Sequence, residues 1–285
     1  MADTTSLAGN PGHGISRLAD ARIASDRAAG QAFLGVAAAL FAASAAVTIA
    51  RCTFLSAIGE MPICGGWTMS IAWVRMPGQT WAEAAASFLG MWIAMMVTMM
   101  LPSLVPTLWR YRESVGATGE MRRGLLTALV GVGYFLVWSG LGTAVFPLGV
   151  ALTVVEMQQP ELARSLPIMA GVVILIAGAL QFTAWKAHHL ACCRKASAPC
   201  HPLPATARSA FRHGLRHGLH CCYSCAGLTG ILLAVGVMDL RAMAVVTLAI
   251  TAERLAPSGE RVARAIGTVA VGVGLLLIVQ AADLG

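Results

Sequence analysis

Twelve of the fifteen Cys and His residues in the chain lie between His188 and Cys225. Thiolate and imidazole are good ligands for Cu, Zn and related ions, and crowding them into one stretch makes metal handling the leading chemistry. Two groups stand out. In A-H-H-L-A-C-C-R, His188 and Cys192 are four apart, as are His189 and Cys193, so on a helix each His/Cys pair shares a face. In H-G-L-H-C-C-Y-S-C, His217, Cys221 and Cys225 follow one another by one helical turn, and His220 and Cys222 stand beside them. Cys222 and Cys225 also make a C-x-x-C, a spacing shared by zinc sites and thiol redox motifs. The plain reading of these cysteines is small apolar filling.

A third group is a methionine stripe. In M-W-I-A-M-M-V-T-M-M-L-P, Met91, Met95 and Met99 share one helix face, with Met96 and Met100 in the adjacent row. Thioether sulfur is soft and neutral, which suits Cu(I), whereas zinc sites use Cys, His and carboxylate. Packing is the alternative, because Met fills gaps in cores. Pro102 and Pro106 follow directly and are expected to kink the helix and free carbonyl groups.

Few other polar or ionisable groups sit in apolar surroundings. Gln181, Thr183 and Lys186 close an apolar run, where such groups need partners, although Lys186 has the reach to snorkel to an interface. Glu253, with Arg254 next to it, reads as an interfacial ion pair or as a carboxylate in a proton or cation path, and Asp239 is read with it. Glu83 reads as a helix-start acid, with a cation-meeting role as the alternative.

The elements that must position these residues are membrane helices. The chain is 57% hydrophobic and 12% charged, about half the charge of a soluble domain. Its apolar residues come in long blocks, predicting an all-α polytopic bundle of about seven spans, at roughly 31–50, 82–109, 124–150, 166–187, 219–238, 241–256 and 261–282. The 241–256 block is short for a bilayer. It is retained because it keeps the basic residues on one side. In this arrangement all but four of the twenty Lys and Arg residues fall before span 1 and between spans 2 and 3, 4 and 5, and 6 and 7. The positive-inside rule then puts the N-terminus in the cytoplasm. The net charge of +7 is a topology signal, spread over separate segments, and calls for no nucleic-acid partner.

The resulting organisation is a mobile tail at 1–30 and one transmembrane domain at 31–285. That domain carries an outer loop at 51–81 and a Cys/His-rich cytoplasmic connector at 188–218, whose Pro-containing stretch 194–212 is expected to be non-helical. Cys52 and Cys64 fall in the outer loop, where a disulfide is permitted, and the other cysteines lie where thiols stay reduced.

The methionine block, Q-F-T-A-W-K followed by Cys and Arg, H-G-L-H-C-C-Y-S-C, and G-V-M-D-L with E-R-L-A-P occur in this order over roughly residues 81–275. Together they resemble a bacterial family of predicted metal-binding integral membrane proteins, sometimes labelled copper-chaperone-like. Three positions depart from the family pattern. Cys225 is followed by Ala226, Glu253 by Arg254 where the family has Lys, and Met238 by Asp239 where it has Asn. The resemblance implies a metal in a membrane, with copper favoured.

These readings favour a multi-pass protein of the bacterial inner membrane and leave open whether it is an enzyme, with a non-enzymatic role preferred. It would handle Cu(I), by transport or by delivery to a cuproenzyme partner, with zinc as the other metal the ligands would accept. Two alternatives stand beside this: a membrane thiol-disulfide oxidoreductase, and a non-catalytic assembly subunit of a membrane complex.

Overall fold

The computed structural model describes residues 11–58, 61–63, 67–69, 75, 78–115, 119–196 and 205–283. Eight helices are described: α1 (Pro11–Ile58), α2 (Trp81–Ser114), α3 (Glu120–Gln158), α4 (Pro160–Leu180), α5 (Ala184–Ala196), α6 (Ala207–Val235), α7 (Leu240–Leu255) and α8 (Gly259–Asp283). Between α1 and α2, strands β1 (Met61–Ile63) and β2 (Trp67–Met69) pair antiparallel, with Pro62 opposite Thr68. The chain divides into two compact units within α1, after Leu40. The stretch expected to be a tail is helical from Pro11.

Five of the described helices are long and apolar enough to cross a membrane: Arg27–Phe54, Trp81–Ser114, Glu120–Val155, Ala207–Val235 and Gly259–Asp283. A sixth candidate is broken. The block expected to run unbroken through 166–187 stops at Leu180 and resumes at Ala184, bent by 64°. The cause is local. The amides of Gln181, Phe182 and Thr183 reach back only three residues, to Gly178, Ala179 and Leu180. The Thr183 hydroxyl then accepts from the Lys186 amide at 3.3 Å, as an N-cap does. α7 has 16 residues, so at about 1.5 Å per residue it falls short of a bilayer of about 30 Å.

Capping also corrects the connector. Thr206 accepts from the Ser209 amide at 3.3 Å and starts α6 at Ala207, so residues 207–218 are helical, and α5 carries residues 188–196. Of the stretch expected to be non-helical, 197–204 lies outside the described residues. Glu83 accepts from the Thr80 amide at 2.8 Å while the Glu83 amide donates to the Thr80 hydroxyl, a reciprocal cap that starts α2. Asp239 likewise caps α7, accepting from the amides of Arg241 and Ala242 at 2.7 and 3.0 Å.

Two close helix contacts set the interior of the second unit. α4 lies along α8, with glycines 171 and 178 against glycines 267 and 274. α3 lies along α6 in the same way. A Cβ on Gly214 would fall onto the Val130 carbonyl, and one on Gly218 would come within 2.9 Å of the Tyr134 carbonyl. Backbones this close bring Tyr134 of α3 to the cysteines of α6. α2 joins α3 through Trp92, whose indole donates to the Trp138 carbonyl at 2.9 Å.

Candidate metal centre

α6 presents one buried stripe: Gly214, His217, Gly218, Cys221, Ser224, Cys225 and Leu228. The one-turn spacing read from H-G-L-H-C-C-Y-S-C therefore places His217, Cys221 and Cys225 together, while Cys222 turns to a half-buried position. The sulfurs of Cys221 and Cys225 are 3.8 Å apart. At the zinc–thiolate distance of about 2.3 Å this separation corresponds to a roughly tetrahedral angle at a shared ion, so a linear two-sulfur ion would need the sulfurs to part slightly.

A buried polar ring closes around Cys221. The Tyr134 hydroxyl lies 2.9 Å from its sulfur. Arg254 of α7 donates through Nη1 to the same sulfur at 3.2 Å and to Ser103 Oγ of α2 at 2.9 Å. Through Nη2 it donates to His217 Nε2 at 2.9 Å. With Nε2 accepting, the neutral ring carries its proton on Nδ1, so His217 offers no open lone pair while Arg254 holds it. Arg254 is only 8% exposed, and among the described residues no carboxylate pairs with it.

The neighbouring carboxylate is used elsewhere. Glu253 accepts from Lys186 Nζ at 2.7 Å, with the two side chains 0% and 5% exposed. Lys186 also donates to the Ser224 carbonyl at 2.5 Å. The interfacial pair expected at Glu253–Arg254 is thus replaced by a buried pair between α5 and α7. Lys186 does not snorkel, because the bend before α5 turns it inward to these acceptors.

The methionine stripe is buried throughout. Met91, Met95, Met96, Met99 and Met100 are at most 6% exposed. α2 continues through Pro102 and Pro106, which leave the carbonyls of residues 98 and 102 without their helical donors. One turn beyond Met99, Ser103 donates to the Met100 carbonyl at 3.0 Å and receives Arg254. Ser103 so links the stripe of α2 to the Cys221 site.

The α5 ligands separate into two settings. His188 Nε2 lies 3.6 Å from Cys192 Sγ, and His189 Nδ1 lies 3.2 Å from His220 Nδ1 of α6, with Trp185 and Tyr223 packed on the His189 ring. Cys193 is instead 1% exposed and lines a cavity with Ser103 and Arg254. Among the described residues no group of three or more His, Cys, Asp or Glu side chains is arranged to hold a metal ion. Of the outer-loop cysteines, Cys64 lies outside the described residues, and Cys52 Sγ is 3.8 Å from Met238 Sδ.

A family model described as a copper chaperone matches residues 89–277, more than half of the chain. The chain belongs to this copper chaperone family. No curated protein and no solved structure matches it. The match takes in the methionine stripe, the α5 and α6 cysteines and the α7 arginine, while Cys52 lies outside it.

For a member of a copper chaperone family, the residues that sequence reasoning passed over are informative. Arg254 was read only as the ion-pair partner of Glu253 at the end of an apolar segment, a position that marks function in membrane proteins. Tyr134 and Ser103 carried no signal, because nothing in their spacing points to α6 or α7.

Proposed function

We propose that this member of the copper chaperone family is a multi-pass protein of the bacterial inner membrane that holds Cu(I) between Cys221 and Cys225 and passes it on. The observation that carries the reading is Arg254, a buried guanidinium that has no carboxylate partner among the described residues and donates to Cys221 Sγ at 3.2 Å. Buried charge needs a counter-charge. A Cu(I) ion bound by two thiolates has a net charge of minus one, so it neutralises Arg254 as it forms. Two sulfurs suffice for Cu(I), a soft ion, whereas structural zinc takes four ligands.

In this reading the methionine stripe of α2 is the conduit. Neutral thioethers hold Cu(I) loosely enough to release it, and the thiolates at one end of the path hold it tightly. The excess of Lys and Arg on one set of loops puts the N-terminus and the Arg254 end of α7 in the cytoplasm. The recipient of the copper is a cuproenzyme or an assembly partner in the membrane.

The test is an anaerobic Cu(I) titration of the full chain in lipid nanodiscs, against a chromophoric Cu(I) chelator. Cys221→Ser should abolish tight binding, while Cys222→Ser should leave it intact. Equal affinity in wild type and Cys221→Ser would refute the assignment.

A further inference from the structure

Beside the Cys221 site lies a cavity of about 200 Å³ whose wall includes Arg110, Arg194, Arg254, Ser103, Thr107 and Cys193. Three guanidinium groups line it, and among the described residues no carboxylate does. Arg110 is exposed on α2, whereas Arg254, Ser103, Thr107 and Cys193 are buried, so the basic lining runs from an exposed residue to the interior. Arg194 is anchored by donating to the carbonyls of Ala256 and Pro257 at 2.5 and 3.0 Å, just past the end of α7. The Arg254 guanidinium that lines the cavity also contacts Cys221 Sγ.

Such a lining repels a bare or hydrated metal cation and attracts an anion. It nevertheless contains a thiol, which is the group that would receive copper. Both properties are met by one substrate form. Building on the copper reading above, we infer that the chain takes its copper through this cavity as an anionic Cu(I) complex of a small thiol, and not as a free cation. The volume equals several waters at roughly 30 Å³ each, enough for the copper–sulfur head of a small complex and far too little for a protein carrier. Small reduced thiols are a cytosolic commodity, in keeping with the side proposed for this end of α7.

The exchange balances without a redox step. The Cys193 thiol attacks the complex, one copper–sulfur bond to the carrier breaks and one to Cys193 forms, and the thiol proton leaves on the departing carrier. A second exchange, with Cys221, releases the other carrier thiol with its proton, and a third, with Cys225, returns a proton to Cys193 and leaves copper between Cys221 and Cys225. Copper stays Cu(I), and the complex keeps its single negative charge beside Arg254 throughout.

The experiment loads the full chain, anaerobically in nanodiscs, from two donors: Cu(I) presented with excess glutathione, which is an anionic thiolate complex, and the cationic Cu(I)–acetonitrile complex. Copper retained after rapid desalting is read by elemental mass spectrometry against time. With the glutathione donor, Arg110→Gln should slow loading roughly tenfold, and added salt should slow wild type in the same direction. Arg110→Lys, which keeps the charge, should load at close to the wild-type rate. With the acetonitrile donor, Arg110→Gln should load no slower than wild type. Equal slowing from both donors, or no slowing from either, overturns this inference while leaving copper binding itself intact. A wild type that takes copper from neither donor overturns the copper reading and this inference with it.

Discussion

Arg254 Nη1 stands 3.2 Å from Cys221 Sγ, and both side chains are buried between α6 and α7. The pair joins a fixed positive charge to a soft ligand. It also makes the guanidinium a hub, since the same group reaches Ser103 on α2 and His217 on α6. Lys cannot reproduce this, because an ammonium lacks the planar fork that serves several acceptors at once. Arg254→Lys is expected to weaken Cu(I) binding by about 1.5–3 kcal/mol, roughly ten- to a hundredfold, as expected for loss of a charge-assisted hydrogen bond. Chelator competition on the purified protein measures it. Unchanged affinity would show that the guanidinium fork adds nothing to copper binding beyond its charge, which Lys keeps.

The methionine stripe should matter for movement more than for retention. Met95→Leu with Met99→Leu conserves volume and apolarity, so stability should change by less than about 1.5 kcal/mol for each replacement. Copper transfer to an acceptor should fall, while equilibrium binding at Cys221 stays near wild type. Transfer at the wild-type rate in the double variant would remove the conduit role and leave packing.

The Lys186–Glu253 pair is a structural prediction of a different kind. Both side chains are buried, at 5% and 0% exposure, so removing one leaves a stranded charge. Lys186→Met is expected to destabilise by roughly 3–5 kcal/mol. Lys186→Met combined with Glu253→Gln should recover much of that loss, because no charge remains unpaired. Thermal unfolding in detergent compares the two. Equal stability of the single and double variants would contradict the pairing.

Helix approach sets the site as much as its ligands do. A Cβ at Gly214 falls on the Val130 carbonyl, so Gly214→Ala must part α3 from α6. The expected loss is about 1–3 kcal/mol of stability, with weaker copper binding, because Tyr134 moves away from Cys221. Gly230→Ala is the control, since a Cβ there meets nothing within 4 Å. Equal effects of the two substitutions would refute the close-packing argument.

Much of the frame was legible in the residues, for physical reasons. Long apolar blocks dictate membrane-length helices, and one-turn spacing alone puts His217, Cys221 and Cys225 on one face. The order of motifs pointed to copper chaperones. The break at Gln181–Thr183 was not legible, because its cause is a single hydroxyl choosing to cap α5 instead of continuing α4. The helical state of residues 207–218 was obscured by neighbouring prolines and revealed by the Thr206 cap. Partner choice was least accessible. Glu253 and Arg254 are adjacent in sequence, yet one turns to Lys186 and the other to Cys221, since neighbouring residues on a helix point about 100° apart. The His and Cys residues also divide into a buried thiol setting and a half-exposed imidazole setting, a separation that depends on how α5 meets α6.

The most direct test is X-ray absorption at the copper edge on the full chain loaded with about one Cu(I) per chain, since sulfur and nitrogen ligands are distinguishable there. Holding of copper between Cys221 and Cys225 requires a first shell of two sulfurs with no imidazole. Cys225→Ser should change that shell, and Cys222→Ser should not. A shell dominated by imidazole nitrogen and unaltered in Cys225→Ser would place the copper at His189 and His220 and contradict the assignment.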